Sequence, residues 1–246
     1  MKLAAFDLEI AKLLPENASD LLGYGPLGIS CAALAADDRP EIGLWQGFPQ
    51  QTRQECQKLV GDLIDYVASG YTLLTWNGCN FDFRVLAQES GMDRECGQLA
   101  LNHVDLMLFV TFSKGWLLGL DKALAGAGIA GKLKEVTLST GETVAVKGAL
   151  APALWARREF DAVLAYLKTD VAQTLALGKA VDAARILRWT SSAGKSQSVS
   201  VPRLLTVKEC FALPEPDTSW MSSPPRRASF VNWIPDWKQQ VQNELK

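Results

Sequence analysis

Apolar and polar positions change rhythm along the chain. Residues 2–9 (KLAAFDLE) are apolar up to two acids and predict a strand. Residues 11–25 carry Pro15, Asn17, Gly23 and Gly25 and read as a loop. Residues 26–36 and 41–47 predict two further strands, with a turn between them that holds Asp37, Asp38 and Pro40. These three strands make an antiparallel meander. From Thr52 to Ser69, Cys56, Leu59, Val60, Leu63, Ile64 and Val67 recur at helical spacing, and Gly70 ends the helix. A short apolar strand at 71–76 leads into a loop, Asn77–Asn80, and a helix from about Phe81 to Glu89 that Gly91 ends. Residues 101–112 and 119–127 look helical. Residues 134–146 predict a hairpin around Thr140-Gly141. Residues 159–187 hold the longest helical pattern, with Leu164, Leu167, Val171, Leu175 and Val181 along one face.

The character then changes. Residues 185–201 predict another hairpin around Ala193-Gly194, and residues 211–237 mix five prolines (Pro214, Pro216, Pro224, Pro225, Pro235) with Trp220, Trp233 and Trp237. Disordered segments are poor in aromatics, so this stretch predicts an ordered extension. The expected organisation is a domain over 1–187 and an extension, 188–246, packed on it. With 246 residues and 48% hydrophobic composition, the chain can bury a substantial core. Its apolar runs are too short for a membrane helix. Asp7 and Glu9 interrupt any signal-peptide core, so the expected compartment is the cytoplasm. Five cysteines without a CxxC pair argue for reduced, buried thiols rather than disulfides or structural zinc. A net charge of −2 argues against coating duplex DNA by charge alone.

Three short motifs bear chemistry. Asp7 and Glu9 lie two apart on a strand and so share a face. Their charges repel and raise one pKa unless a cation intervenes. In isolation the pair also reads as a solvated strand end. In Trp76-Asn77-Gly78-Cys79-Asn80-Phe81-Asp82, a strand meets a polar turn and Asp82 falls in the first turn of a helix, where a carboxylate is favoured. Alone, Asp82 reads equally as a helix-start residue. In Tyr166-Leu167-Lys168-Thr169-Asp170, the tyrosine and aspartate stand four apart on one helix face.

Strand-borne DxE, then NxxxFD between strand and helix, then YxxxD on a late helix, in that order, resemble the DEDD (DnaQ-like) 3′→5′ exonuclease superfamily. The tyrosine variant (DEDDy) fits, since Ala165 stands where the histidine variant needs its His. The resemblance covers roughly residues 1–185. The segment PDTSW near residue 216 and the hairpin before it are similar to an extension of some bacterial and phage members described only as ribonuclease H-like.

The resemblance implies a ribonuclease H-like α/β fold: a mixed five-stranded sheet, first three strands antiparallel and later ones parallel to the first, flanked by helices. It implies two Mg²⁺ or Mn²⁺ ions, about 3.5–4 Å apart, held by Asp7, Glu9, Asp82 and Asp170. Asp7 would bridge both ions, Glu9 and Asp170 would complete the water-activating site, and Asp82 would hold the second ion largely through its waters. Tyr166 would orient the attacking water. The substrate would be single-stranded DNA or RNA, with the amides of Ile10 and Ala11 meeting its terminal nucleotide and Asn77 and Phe81 shaping the pocket. Leu13 and Leu14 are candidates to wedge against the terminal base, or loop anchors. Two other readings stay open: a structure-selective endonuclease, and a nucleic-acid-binding or assembly module without turnover.

Other residues carry less. His103, the one histidine, is a candidate general base read first in a local structural role, and Asp105, a fifth candidate acid, is read first as the N-cap of LMLFVTF. Trp155 and Trp189 read as core residues before base-stacking platforms. Arg157-Arg158, Arg185/Arg188, Lys195/Arg203 and Arg226-Arg227 read as solvated surface before phosphate guides.

Overall fold

The computed structural model describes residues 1–15, 18, 20–145, 150–191 and 193–244. Asn17 of the expected loop and residue 146 of the first expected hairpin lie outside them. The chain is an α/β structure built on a mixed five-stranded sheet flanked by helices, in the order β3-β2-β1-β4-β5. The strands are β1 (Lys2–Ile10), β2 (Ile29–Ala36), β3 (Gly43–Gln46), β4 (Tyr71–Thr75) and β5 (Val104–Asp105). β2 runs antiparallel to β1 and β3, while β4 is parallel to β1 and β5.

Alternation along β1 divides the core. Phe6 packs on Phe83 at 5.7 Å, so that face meets α2 (Asp82–Ser90), beside which lies α1 (Arg53–Ala68). Leu3, Ala5, Asp7 and Glu9 share the opposite face. There α7 (Phe160–Ala184) crosses β1 and β2. Close approach is built into both partners. All of β2 (ISCAALAA) is buried and mostly small, and a Cβ added at Gly178 of α7 would stand 2.4 Å from a Leu74 methyl. The α1 start is fixed by a capping box, Thr52 with Glu55.

One expected element divides. Residues 101–112 are not a single helix: α3 (Asp93–Asn102) ends at an extended His103, β5 follows, and α4 (Leu106–Lys114) begins afresh. Asp105 caps α4 by accepting the Leu108 N–H at 3.0 Å, the N-cap role expected for it.

The later chain packs on this frame. α5 (Leu120–Gly126) precedes the hairpin β6 (Glu135–Thr137) and β7 (Thr143–Ala145), then α6 (Ala151–Ala156) and α7. The hairpin β8 (Ile186–Thr190) and β9 (Ser196–Ser200) rests on α5, where a Cβ on Gly126 would lie 2.4 Å from the Arg188 carbonyl oxygen. α8 (Val207–Cys210) packs against α3 and α4, and α9 (Trp237–Glu244) packs against α8. Arg227 gathers the carbonyls of Phe112, Leu213 and Pro214 at 2.7–2.9 Å, and the Trp233 indole donates to the Cys79 carbonyl at 3.0 Å. Trp155 and Trp189 are both buried, the first donating to the Gly47 carbonyl and the second against Trp116. The five cysteines are free and buried. No helix among the described residues is long and apolar enough to cross a membrane.

Candidate active site

The ladder between β1 and β4 ends at Ala5 with Leu74. Beyond it β1 continues alone on that side, and its freed Leu8 N–H reaches two carboxylates, Asp7 Oδ1 at 3.0 Å and Asp82 Oδ1 at 3.2 Å. One backbone donor thus joins the acid on β1 to the acid at the start of α2. This lies at the carboxyl ends of parallel strands, where open α/β sheets form their ligand sites. Just past Glu9 the β1–β2 register slips by one residue. The extra residue, Ser30, is buried and its hydroxyl donates to the Glu9 carbonyl at 3.0 Å. Such bulges re-aim strand ends next to sites.

The turn ahead of Asp82 is held from below. Asn77 adopts a left-handed φ of 73°. Asp105 accepts the Asn77 N–H at 3.0 Å and the Cys79 N–H at 3.1 Å, while also capping α4. His103 supports the same turn. Its Nδ1–H donates to the Ala100 carbonyl at 2.7 Å, which leaves Nε2 to accept from Thr75 Oγ1 at 2.8 Å. Thr75 Oγ1 in turn accepts the Gly78 N–H. Burial keeps this imidazole neutral, with its pKa lowered to about 4.

α7 brings the fourth acid. Asp170 is 2% exposed and Tyr166, one turn earlier, 3%. The acids shift one another's ionisation. Asp7 retains partial solvent access, yet burial of its surroundings and the Asp170 charge push its pKa up to about 6, against Lys132, Asp82 and the Leu8 N–H. Burial, then Asp7 and Asp170, push Glu9 well above the usual carboxylate range. Burial and Asp7 do the same to Asp82. Burial also raises Asp170, opposed by Lys132 and Tyr166. The Tyr166 phenol is pushed up to about 12 by burial and the Asp170 charge. It therefore serves as a hydrogen-bonding group and not as a base near neutral pH.

Lys132, in the segment between α5 and β6, is a charged neighbour of these acids that the sequence motifs did not flag. Its ammonium lies 2.5 Å from Asp170 Oδ2 and 3.3 Å from the Tyr166 hydroxyl. Burial works against its charge, but Asp170 outweighs this and the pKa is raised. Loop residues with no periodicity give no sign of where they point, so Lys132 carried no signal that set it apart from Lys134.

Asp7, Glu9, Asp82, Asp170 and Tyr166 are thus brought together. Phe81 and Asn77 flank Asp82, both half-buried, with Phe81 packed against the core. Ile10 is buried in β1 opposite Ile29. Ala11 needs correction as a substrate contact through its amide, because that N–H already donates to the Gly28 carbonyl at 3.0 Å. The Ala11 residue instead lines a cavity of about 450 Å³ with Lys12, Phe48 and Trp155. Leu13 is exposed, whereas Leu14 packs on the core as an anchor.

The donor set suits a hard divalent cation: four carboxylates, all oxygen, whose shared ionisation is opposed by burial and by each other. Asp170 Oδ1 is buried without a hydrogen-bond partner, a cost that a cation would remove. Among the described residues no three His, Cys, Asp or Glu side chains already stand in a geometry ready to hold an ion, and the Lys132 ammonium engages Asp170. A scan against protein-family models finds no match for this chain, and a search of curated proteins finds none either.

Proposed function

We propose that the protein is a metal-dependent 3′→5′ exonuclease of the DEDDy type, acting on single-stranded DNA or RNA and built on a ribonuclease H-like fold. The observation that carries this reading is the convergence of Asp7, Glu9, Asp82 and Asp170, with Tyr166, from opposite ends of the chain onto one place at the carboxyl end of β1. The five-stranded mixed sheet with helices on both faces fits that fold.

Asp7, Glu9 and Asp170 would hold one Mg²⁺ or Mn²⁺, and Asp7 with Asp82 the other. Bound there, the ions supply a lowered water pKa and charge stabilisation at the phosphate. The residues do the rest. Tyr166, packed beside Asp170, orients the water by a hydrogen bond. The Leu8 N–H fixes Asp7 and Asp82 relative to each other. The Asp105-braced turn holds Asp82 at the start of α2. Phe81 and Asn77 border the space that a terminal nucleotide would enter.

The test is digestion of 5′- and 3′-labelled single-stranded DNA and RNA with Mg²⁺, Mn²⁺ or chelator. Stepwise shortening of the 5′-labelled strand, with the label of the 3′-labelled strand released as a mononucleotide, is expected, and chelator should stop both. Internal cuts would favour a structure-selective endonuclease. Binding without metal-dependent hydrolysis would favour a nucleic-acid-binding or assembly module.

A further inference from the structure

Asp170 is nearly fully buried, and its two oxygens differ. Oδ2 carries the Lys132 ammonium at 2.5 Å, while Oδ1 has no hydrogen-bond partner. The lysine is held at its base, and at its tip only by Asp170 and the Tyr166 hydroxyl. Its own N–H donates to Asp121 Oδ1 at 3.2 Å, and the Gly131 carbonyl before it accepts from Gln173 on α7 at 2.7 Å. The side chain passes over the Tyr166 ring, 5.4 Å from its centroid, and is 31% exposed. A four-carbon stem on an anchored backbone lets the ammonium swing into solvent while the loop stays in place.

A divalent ion bound by Asp7, Glu9 and Asp170 needs the charge that Lys132 now neutralises. A monovalent ammonium and a divalent ion cannot both sit against Asp170 without strong repulsion. We infer that Lys132 is a tethered internal cation that occupies Asp170 in the metal-free protein and is displaced when a divalent ion binds, so that metal entry and lysine release are one exchange. The exchange rests on the reading of the four acids as a divalent-cation site. It explains how a pocket of buried acids stays folded between loadings: the protein carries its own counter-ion. It also sets metal affinity below what the acids alone would give, because each loading breaks an ion pair.

The experiment is calorimetric titration of the full chain with Mn²⁺, in wild type, Lys132→Met, Lys132→Arg and Asp7→Ala. Lys132→Met keeps an unbranched side chain over Tyr166 and should bind Mn²⁺ about tenfold more tightly, the scale of one partly exposed ion pair given up. Lys132→Arg keeps the charge and should stay within about twofold of wild type. Asp7→Ala should lose binding. A second readout needs no variant: reductive methylation followed by mass spectrometry should label Lys132 slowly in metal-free protein and faster with Mn²⁺. Unchanged or weaker affinity in Lys132→Met, with Asp7-dependent binding intact, would overturn the exchange and leave the nuclease reading standing. So would Lys132 labelling that Mn²⁺ does not alter. If no protein binds Mn²⁺ in an Asp7-dependent way, both fall.

Discussion

One buried acid and a cluster of four, three of them buried, lie on either side of the turn that ends β4, and they are treated in opposite ways. Asp105 is 1% exposed and satisfied: the N–H groups of Asn77, Cys79 and Leu108 all point at it. Asp7 and Asp82 share the Leu8 N–H, Asp170 leans on Lys132, the acids repel one another, and Asp170 Oδ1 has no hydrogen-bond partner. A carboxylate buried for structure is surrounded by donors. On the proposed reading, the four acids are left short of them because a divalent ion would supply the difference. Burial raises the pKa on both sides of the turn, so the shift alone does not separate them; the hydrogen bonds do.

That contrast can be broken from either side. The largest effect belongs to Asp7→Ala, which should lower metal-dependent hydrolysis by at least about 10³-fold. The same variant should leave the metal-free protein as stable as wild type or more so, as read by urea denaturation. Asp105→Ala should do the reverse and cost about 3 kcal/mol of stability, since three backbone N–H groups lose their acceptor. Full stability in that variant would refute the structural assignment.

A smaller effect is the pH dependence. The Asp7 pKa is raised to about 6 in the folded chain, so the folded state holds a proton that the unfolded state has released. Stability of the metal-free protein should therefore rise as pH falls from 7.5 to about 5, by about 1.4 kcal/mol, and saturating Mg²⁺ should flatten the slope. Asp7→Asn should flatten it too. The smallest effect is Tyr166→Phe. Losing one hydrogen bond to the attacking water should slow turnover about tenfold, with Mn²⁺ affinity unchanged by calorimetry.

Much of the contrast was legible in the sequence, for definite reasons. Period-two alternation put Asp7 and Glu9 on one face of β1, and helical spacing put Tyr166 and Asp170 together on α7. Asp105 could be read as a cap from its place before an apolar run. Its second task, bracing the Asn77–Cys79 turn, could not, because that contact spans 26–28 residues and has no local signal. β5 escaped for a related reason: two residues, Val104 and Asp105, carry no periodicity of their own and took on that of the helix after them. Lys132 sits in an irregular loop, and only the packing of α5 and α7 decides where it points. Ala11 shows the converse limit. Its place after the strand is a local property, but the partner of its N–H, Gly28, lies across a register slip that no pattern announces.

The most direct measurement is the anomalous scattering of a crystal of the protein soaked in MnCl₂. The account expects peaks within coordination distance of Asp7, Glu9 and Asp170, with the Lys132 ammonium withdrawn from Asp170, and a second peak toward Asp82 once an oligonucleotide is bound. A saturated crystal with no peak among these four carboxylates, and Lys132 still on Asp170, would contradict it.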